Sequence, residues 1–435
     1  MPPMTRSRRW MVLGALLAAT ATACSSGGGP APDPREGPAP AWSFVGPTGL
    51  ATTAMAGRVL VIKNDEAVLG VDPASGRRLW SVPSSPRLGI RIVRDLVVQV
   101  AREQSDVREV TVLDSSTGRV LWRKAGIAYA RITQDAIFAG ACAGKACAVT
   151  RYDPRSGAPK WTRPGDAWLS EDDIGARRPD VPPTGRLIAA SMEPTGNPSF
   201  GARDAASGTP LPGRVSARSW TELAVGGSLV AIQNDPPEGD NRCTVTVTSA
   251  DAASGAKRWQ RQIFGGRAAD GSCVKRLVPD STGLTLIGAG TRIAASTDNG
   301  FPQVFDLATG RTVWRAADQA VPIDGDGRTL LVRTQADRGA LSLLDFATGR
   351  RLWTAPDPGL EGTSASWKTS VTSRLVAITG ATGDRPRVLV YRADTGQRLG
   401  MFPGWLQGLG DDWVAVGHSP KEPQANKLQY DFIRL

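Results

Sequence analysis

VDPASGRRLW (71–80) decides how this chain folds, because five other stretches repeat it: LDSSTGRVLW (113–122), YDPRSGAPKW (152–161), ADAASGAKRW (250–259), FDLATGRTVW (305–314) and LDFATGRRLW (344–353). All six fit Asp-x-x-Ser/Thr-Gly-x-x-x-Trp, with Asp72, Gly76, Trp80; Asp114, Gly118, Trp122; Asp153, Gly157, Trp161; Asp251, Gly255, Trp259; Asp306, Gly310, Trp314; and Asp345, Gly349, Trp353 at the defining positions. Two further copies are decayed. RDAASGTPLP (203–212) lacks the Trp, and YRADTGQRLG (391–400) lacks both Asp and Trp. The eight glycines recur every 39 to 55 residues, the length of one four-stranded propeller blade.

Each residue type has a physical task in a hairpin. Asp accepts backbone N–H bonds and caps the turn, Gly takes the positive φ that the turn needs, and Ser/Thr adds a hydroxyl. Trp then falls in an outer strand, where its ring is expected to pack on the neighbouring blade with its indole N–H on a carbonyl. Truncating such a buried ring costs roughly 3–5 kcal/mol. A β-rich run precedes each turn (REVTVLD, CTVTVTSAD, ALSLLD), and a second lies upstream: GRVLVIKN (57–64), RDLVVQVA (94–101), GSLVAIQN (227–234), SRLVAITG (373–380). No long stretch keeps a helical period, so helix is expected to be scarce.

The fold expected is all-β: a propeller of four-stranded antiparallel blades. At the ends, WVAVGH (413–418) and KLQYDFIRL (427–435) read as two more strands, and AWSFV (41–45) as an outer Trp strand without partners. Pairing of the two termini would then build one blade and remove the free edges. The literal tally is nine. Rings of this kind have four to eight blades, so eight is the expectation and nine the alternative.

These repeats resemble the tryptophan-docking repeats of the pyrroloquinoline-quinone (PQQ) type β-propellers, over about residues 41–435. The resemblance implies the fold. It does not imply the cofactor, since many proteins with this fold bind no quinone. PQQ-dependent alcohol dehydrogenases of the type commonly carry an adjacent Cys-Cys pair, which this sequence lacks.

Residues 1–23 read as a lipoprotein signal peptide. Arg6, Arg8 and Arg9 make a basic start, WMVLGALLAA (10–19) is too short to remain as a membrane span, and Ala21-Thr22-Ala23 leads into Cys24. This resembles a lipobox, with Ala21 where Leu is commonest, and implies lipidation of Cys24. Ser7-Arg8-Arg9 also resembles a twin-arginine export signal. Residues 24–40 form a Gly/Pro/Ser-rich tether, and 41–435 a single propeller domain. The mature chain from Cys24 keeps 49 basic and 41 acidic side chains, a net +8, which favours an anionic membrane face or wall polymer. No basic-aromatic stripe marks a nucleic-acid groove.

Four cysteines remain in the body: Cys142, Cys147, Cys243 and Cys273. In an exported chain they are disulfide candidates, with Cys142–Cys147 and Cys243–Cys273 paired by proximity among three possible connectivities. His418 is the sole histidine. It reads as a surface-loop residue, so no catalytic residues and no histidine-based metal site are expected. Asp324-Gly325-Asp326-Gly327 lacks the remaining ligands of a calcium loop and reads as a turn between blades. Glu171-Asp172-Asp173 and Asp411-Asp412 read as solvated loop charge.

Two functions follow as expectations. The first is a non-catalytic, monomeric binding or scaffold propeller on the outer face of the bacterial cytoplasmic membrane. It would be held by lipid on Cys24 and engage an envelope protein or polymer, with no cofactor. Its anchoring is similar to that of the scaffold lipoprotein of outer-membrane β-barrel assembly. The alternative is a PQQ-dependent dehydrogenase of alcohols or sugars, which would need PQQ and calcium over the central channel.

Overall fold

The computed structural model describes residues 35–435, apart from 48–51, 104–105, 144–145, 165–185, 193–197, 217–218, 226, 239–241, 268–286, 290–291, 297–299, 307, 335–338, 357, 361–366, 383–384 and 421–426. The leader 1–23, Cys24, Glu171-Asp172-Asp173 and Cys273 therefore lie outside the described residues. Within them, every helix or strand assigned is a β-strand, and the strands form nine antiparallel sheets. In chain order the sheets span 52–83, 88–125, 129–164, 186–216, 219–267, 287–315, 320–355, 368–403 and 405–434, the last joined by the strand Trp42–Pro47.

Nine sheets correct the expectation of eight blades. Both decayed copies, at 203–212 and 391–400, sit in sheets of their own, and the chain ends build the ninth. Eight sheets have four strands and the fourth shows three. In the fourth sheet the repeat turn joins Pro198–Asp204 to Pro210–Ser216. Its described strands therefore hold positions two to four.

The second strand of each sheet explains the continuous apolar runs of the sequence. Val59–Lys63 is buried at every residue because a neighbouring sheet covers each face. Leu60 and Ile62 pack with Trp413, Tyr430 and Phe432 of the ninth sheet, whereas Val59 and Val61 pack with Ile90, Val97 and Leu113 of the second. The same two-sided burial recurs at Leu375–Thr382, whose side chains divide between clusters of the seventh and ninth sheets. First strands of successive sheets lie against each other: Thr52–Ala56 touches Leu88–Val93 and Trp405–Leu409, and Lys368–Val371 touches Ala320–Gly325. These first strands therefore form the hub, and the repeat tryptophans stand on the outermost strands.

Closure comes from the termini. Trp42–Pro47 pairs antiparallel with Lys427–Arg434, from Trp42 opposite Phe432 to Pro47 opposite Lys427. Just upstream, Glu36 makes an antiparallel bridge with Met401 on the outer strand of the eighth sheet. Asp324–Gly327 does not connect sheets. It turns within the seventh, between Ala320–Gly325 and Thr329–Thr334, with Asp326 accepting from the Arg328 and Thr329 amides at 2.9 and 2.7 Å.

Candidate functional site

The repeat residues form a set of docking joints between sheets. In each turn the glycine N–H donates to the backbone carbonyl of the residue in the Asp position at 2.7–3.0 Å, and the glycine φ lies between 68° and 75°. The Asp side chain closes the turn from within. Asp345 Oδ1 accepts from the Thr348 amide at 2.8 Å and its hydroxyl at 2.7 Å, and Asp306 does the same with Thr309. Such bonds favour the ionised form and hold the carboxyls of Asp72, Asp114, Asp153, Asp251, Asp306 and Asp345 below their ordinary range. Asp251 is lowered furthest, to about 2, by the Ser254 amide and then by Arg258.

Each tryptophan reaches into the next turn. Trp80 Nε1 donates to the Ser115 carbonyl at 2.7 Å, Trp122 to Pro154 at 2.9 Å, Trp314 to Phe346 at 2.9 Å and Trp353 to Ala393 at 2.9 Å. The ring lies flat on the glycine of that turn, so a Cβ on Gly118 would stand 2.7 Å from the Trp80 ring. The decayed copies still receive a ring, Trp161 on Gly208 and Trp353 on Gly396. Trp42 docks the ninth sheet onto the first, through Pro73 at 3.0 Å and Gly76.

A second polar centre closes the ring. The Asp431 carboxylate, with a side chain 1% exposed, accepts from Ser43 Oγ at 2.6 Å, Gln429 Nε2 at 3.0 Å and the Arg35 guanidinium, and contacts His418 Nε2 at 3.1 Å. Burial alone would raise its pKa. The bonds from His418, Ser43, Gln429 and Arg35 outweigh that and hold it well below the usual carboxylate range. His418 ends the strand Trp413–His418 and is largely buried, which corrects its reading as a surface-loop residue. Its Nδ1 lies 2.9 Å from the Ser419 carbonyl. Both ring nitrogens face oxygen acceptors, so the doubly protonated imidazolium satisfies both contacts. Burial works against that charge, but the bonds to Asp431 and Ser419 prevail and its pKa is raised. Ser43 bonds the carboxylate and not the ring, so this is a clasp and not a nucleophile–base pair. Sequence reading missed Asp431. Its signal was a charged residue between Tyr430 and Phe432 in an apolar strand.

Cys142 and Cys147 face each other across the hairpin of Ile137–Ala143 and Ala146–Tyr152 and form a disulfide. Cys243 lies on the strand Arg242–Asp251, and its expected partner Cys273 falls outside the described residues. Asp411 accepts from Ser373 Oγ at 2.9 Å, linking turns of the eighth and ninth sheets. Among the described residues, no cluster of three or more His, Cys, Asp or Glu could hold a metal ion. Described hub strands carry the cations Arg91, Arg131 and Lys368 and the carboxylate Asp324, and Arg131 is 4% exposed.

The family described as "Outer membrane protein assembly factor BamB" matches at residues 63–173, 150–355 and 244–402. The chain belongs to that family. Its repeats are those of a PQQ-type β-propeller. Among solved structures, BamB from Moraxella catarrhalis is 15% identical, with 90% of this chain and 98% of that one covered at a TM-score of 0.42. A quinohemoprotein alcohol dehydrogenase from Comamonas testosteroni is also 15% identical, with 90% and 76% covered and a TM-score of 0.42. A structure described as the eukaryotic initiation factor is 13% identical, with 84% and 90% covered and a TM-score of 0.54. At such identities the likeness concerns the fold alone. No curated protein matches.

Proposed function

We propose that this BamB-family propeller is a non-catalytic binding scaffold of the cell envelope, held by a lipid on Cys24 to the outer face of the cytoplasmic membrane. The family match carries this reading, since the family's description names an assembly factor. The use of the repeat residues supports it. The motif carboxylates close turns and the indoles dock sheets, so their polar groups serve the frame, and recognition falls to the loops and rims that the frame holds. The ligand class is another envelope protein or an anionic envelope polymer, and the propeller acts as a monomer.

Fractionation of cells producing Cys24→Ala tests the anchor. The variant is expected in the soluble fraction, and membrane retention equal to wild type overturns lipidation. Titration with PQQ and calcium, followed by dye-linked oxidation of alcohols and aldoses, tests the scaffold reading. Neither binding nor turnover is expected, and stoichiometric binding with turnover overturns it. Crosslinking in intact cells then identifies the partner.

A further inference from the structure

Two kinds of turn share one rim of the ring: those joining the first and second strands of a sheet, and the repeat turns joining the third and fourth. Backbone bonds tie them together. In the first two sheets, Gly57 N–H donates to the Arg94 carbonyl at 3.0 Å, and Ser115 N–H to the Asp95 carbonyl at 3.1 Å. Five arginines rise from this stretch of rim. Arg58 and Arg94 come from the first kind of turn, and Arg77, Arg78 and Arg119 directly follow the repeat glycines. All five are exposed, and among the described residues none has a side-chain hydrogen bond or ion pair. The carboxylates beside them already have partners of their own, with the Arg77 charge acting on Asp72 only as a further, smaller influence. Asp72 and Asp114 close their own turns, and Asp95 pairs with Arg155.

Arg94 adds an independent observation. It begins a two-residue hairpin loop between Val93 and Leu96, with φ 56°, the one positive φ among described non-glycine residues. The matching loop of the first sheet, between Ala56 and Val59, begins with Gly57 at φ 61°. An L side chain is disfavoured there relative to glycine. The chain nevertheless places an unpaired guanidinium at this turn tip, and strained positions of this kind gather at sites of use.

The arginines stand spread over neighbouring turn tips, so they match a broad anionic surface better than a single small anion. We propose that the rim of the first and second sheets rests on an anionic phospholipid bilayer, with these guanidinium groups on headgroup phosphates. The inference deepens the envelope reading and rests on it for its setting. Its test omits the lipid anchor, so the two fail separately.

The chain beginning at residue 25 is sedimented with vesicles of phosphatidylcholine, alone or mixed with phosphatidylglycerol. It is expected to bind the mixed vesicles and to be released by salt. The variant Arg58→Gln, Arg77→Gln, Arg94→Gly, Arg119→Gln is expected to lose roughly tenfold or more in partitioning. Arg94→Gly relieves the backbone, so the single variant is expected to melt no lower than wild type while binding less, which separates contact from folding. A control variant on the opposite rim (Arg87→Gln, Arg163→Gln, Lys427→Gln) is expected to bind as wild type. The proposal is overturned if the rim variant binds fully, if the control falls as far, or if wild type binds soluble polyphosphate but not the vesicles.

Discussion

Trp80 and Gly118 form one joint made by two residues. Trp80→Ala is expected to lower stability by about 3–5 kcal/mol in urea unfolding. Gly118→Ala should cost more than a surface glycine does, because its φ is 69° and the new Cβ meets the Trp80 ring at 2.7 Å. The double variant is expected to fall short of the summed losses by about 0.5–3 kcal/mol, since removing the ring clears space for the methyl. Strict additivity would show that the two do not share a joint. His418 offers a second test at this scale. Its raised pKa means that its contribution is complete below the unfolded value of about 6.5 and lost as pH rises through the folded one. Asp431 runs the other way, its contribution being lost only as pH falls far below the ordinary carboxylate range. Wild type is therefore expected to melt higher at mildly acidic than at mildly alkaline pH. His418→Gln should flatten that slope, and an unchanged slope would assign it to other groups.

At the scale of single elements, the eighth sheet carries an instructive departure. Gly400 stands where the repeat has Trp, the Phe402 ring folds over it, and a Cβ there would lie 2.9 Å from the Glu36 carbonyl. The vacated edge is occupied by the chain's own N-terminal segment, through the Glu36–Met401 bridge and the Arg398–Glu36 ion pair at 2.6 Å. Restoring the consensus with Gly400→Trp is thus expected to destabilise by about 1–3 kcal/mol or more through overpacking. A higher melting temperature would refute that account. The third sheet provides a milder case. The Cys142–Cys147 bridge spans five residues of sequence, and closing so short a loop is worth about 2 kcal/mol. Replacing both cysteines with alanine should lower the melting temperature by a few degrees and leave the far-ultraviolet spectrum unchanged.

For the whole molecule, the decisive contact is the strand Trp42–Pro47 on Lys427–Arg434. A chain beginning at residue 48 would lose the Trp42 joint, the Ser43 and Arg35 bonds to Asp431 and the cover of an apolar edge. It is expected to aggregate or to unfold without a single sharp transition. A monomer as cooperative as wild type would mean that the ring does not depend on its clasp.

The repeat turns, the placing of Trp on outer strands and the pairing of the ends were legible in the sequence, because each depends on a few residues at short spacing. Blade number was not. A decayed copy still receives its neighbour's ring, since the receiving side supplies only a backbone carbonyl and a glycine, as at Ala393 and Gly396. In Gly-x-x-x-Trp the Gly therefore marks the receiving side of one joint and the Trp the donor side of the next, and copies without Trp still count in full.

The sequence by itself determined the joint: which residues cap each turn, which ring docks and how often the unit recurs. Only the tertiary structure decided how many sheets close the circle and what surrounds Asp431. A turn is settled by bonds among neighbours along the chain. The clasp joins Arg35 and Ser43 to residues near 431, and that meeting exists only once every wedge between them has been packed.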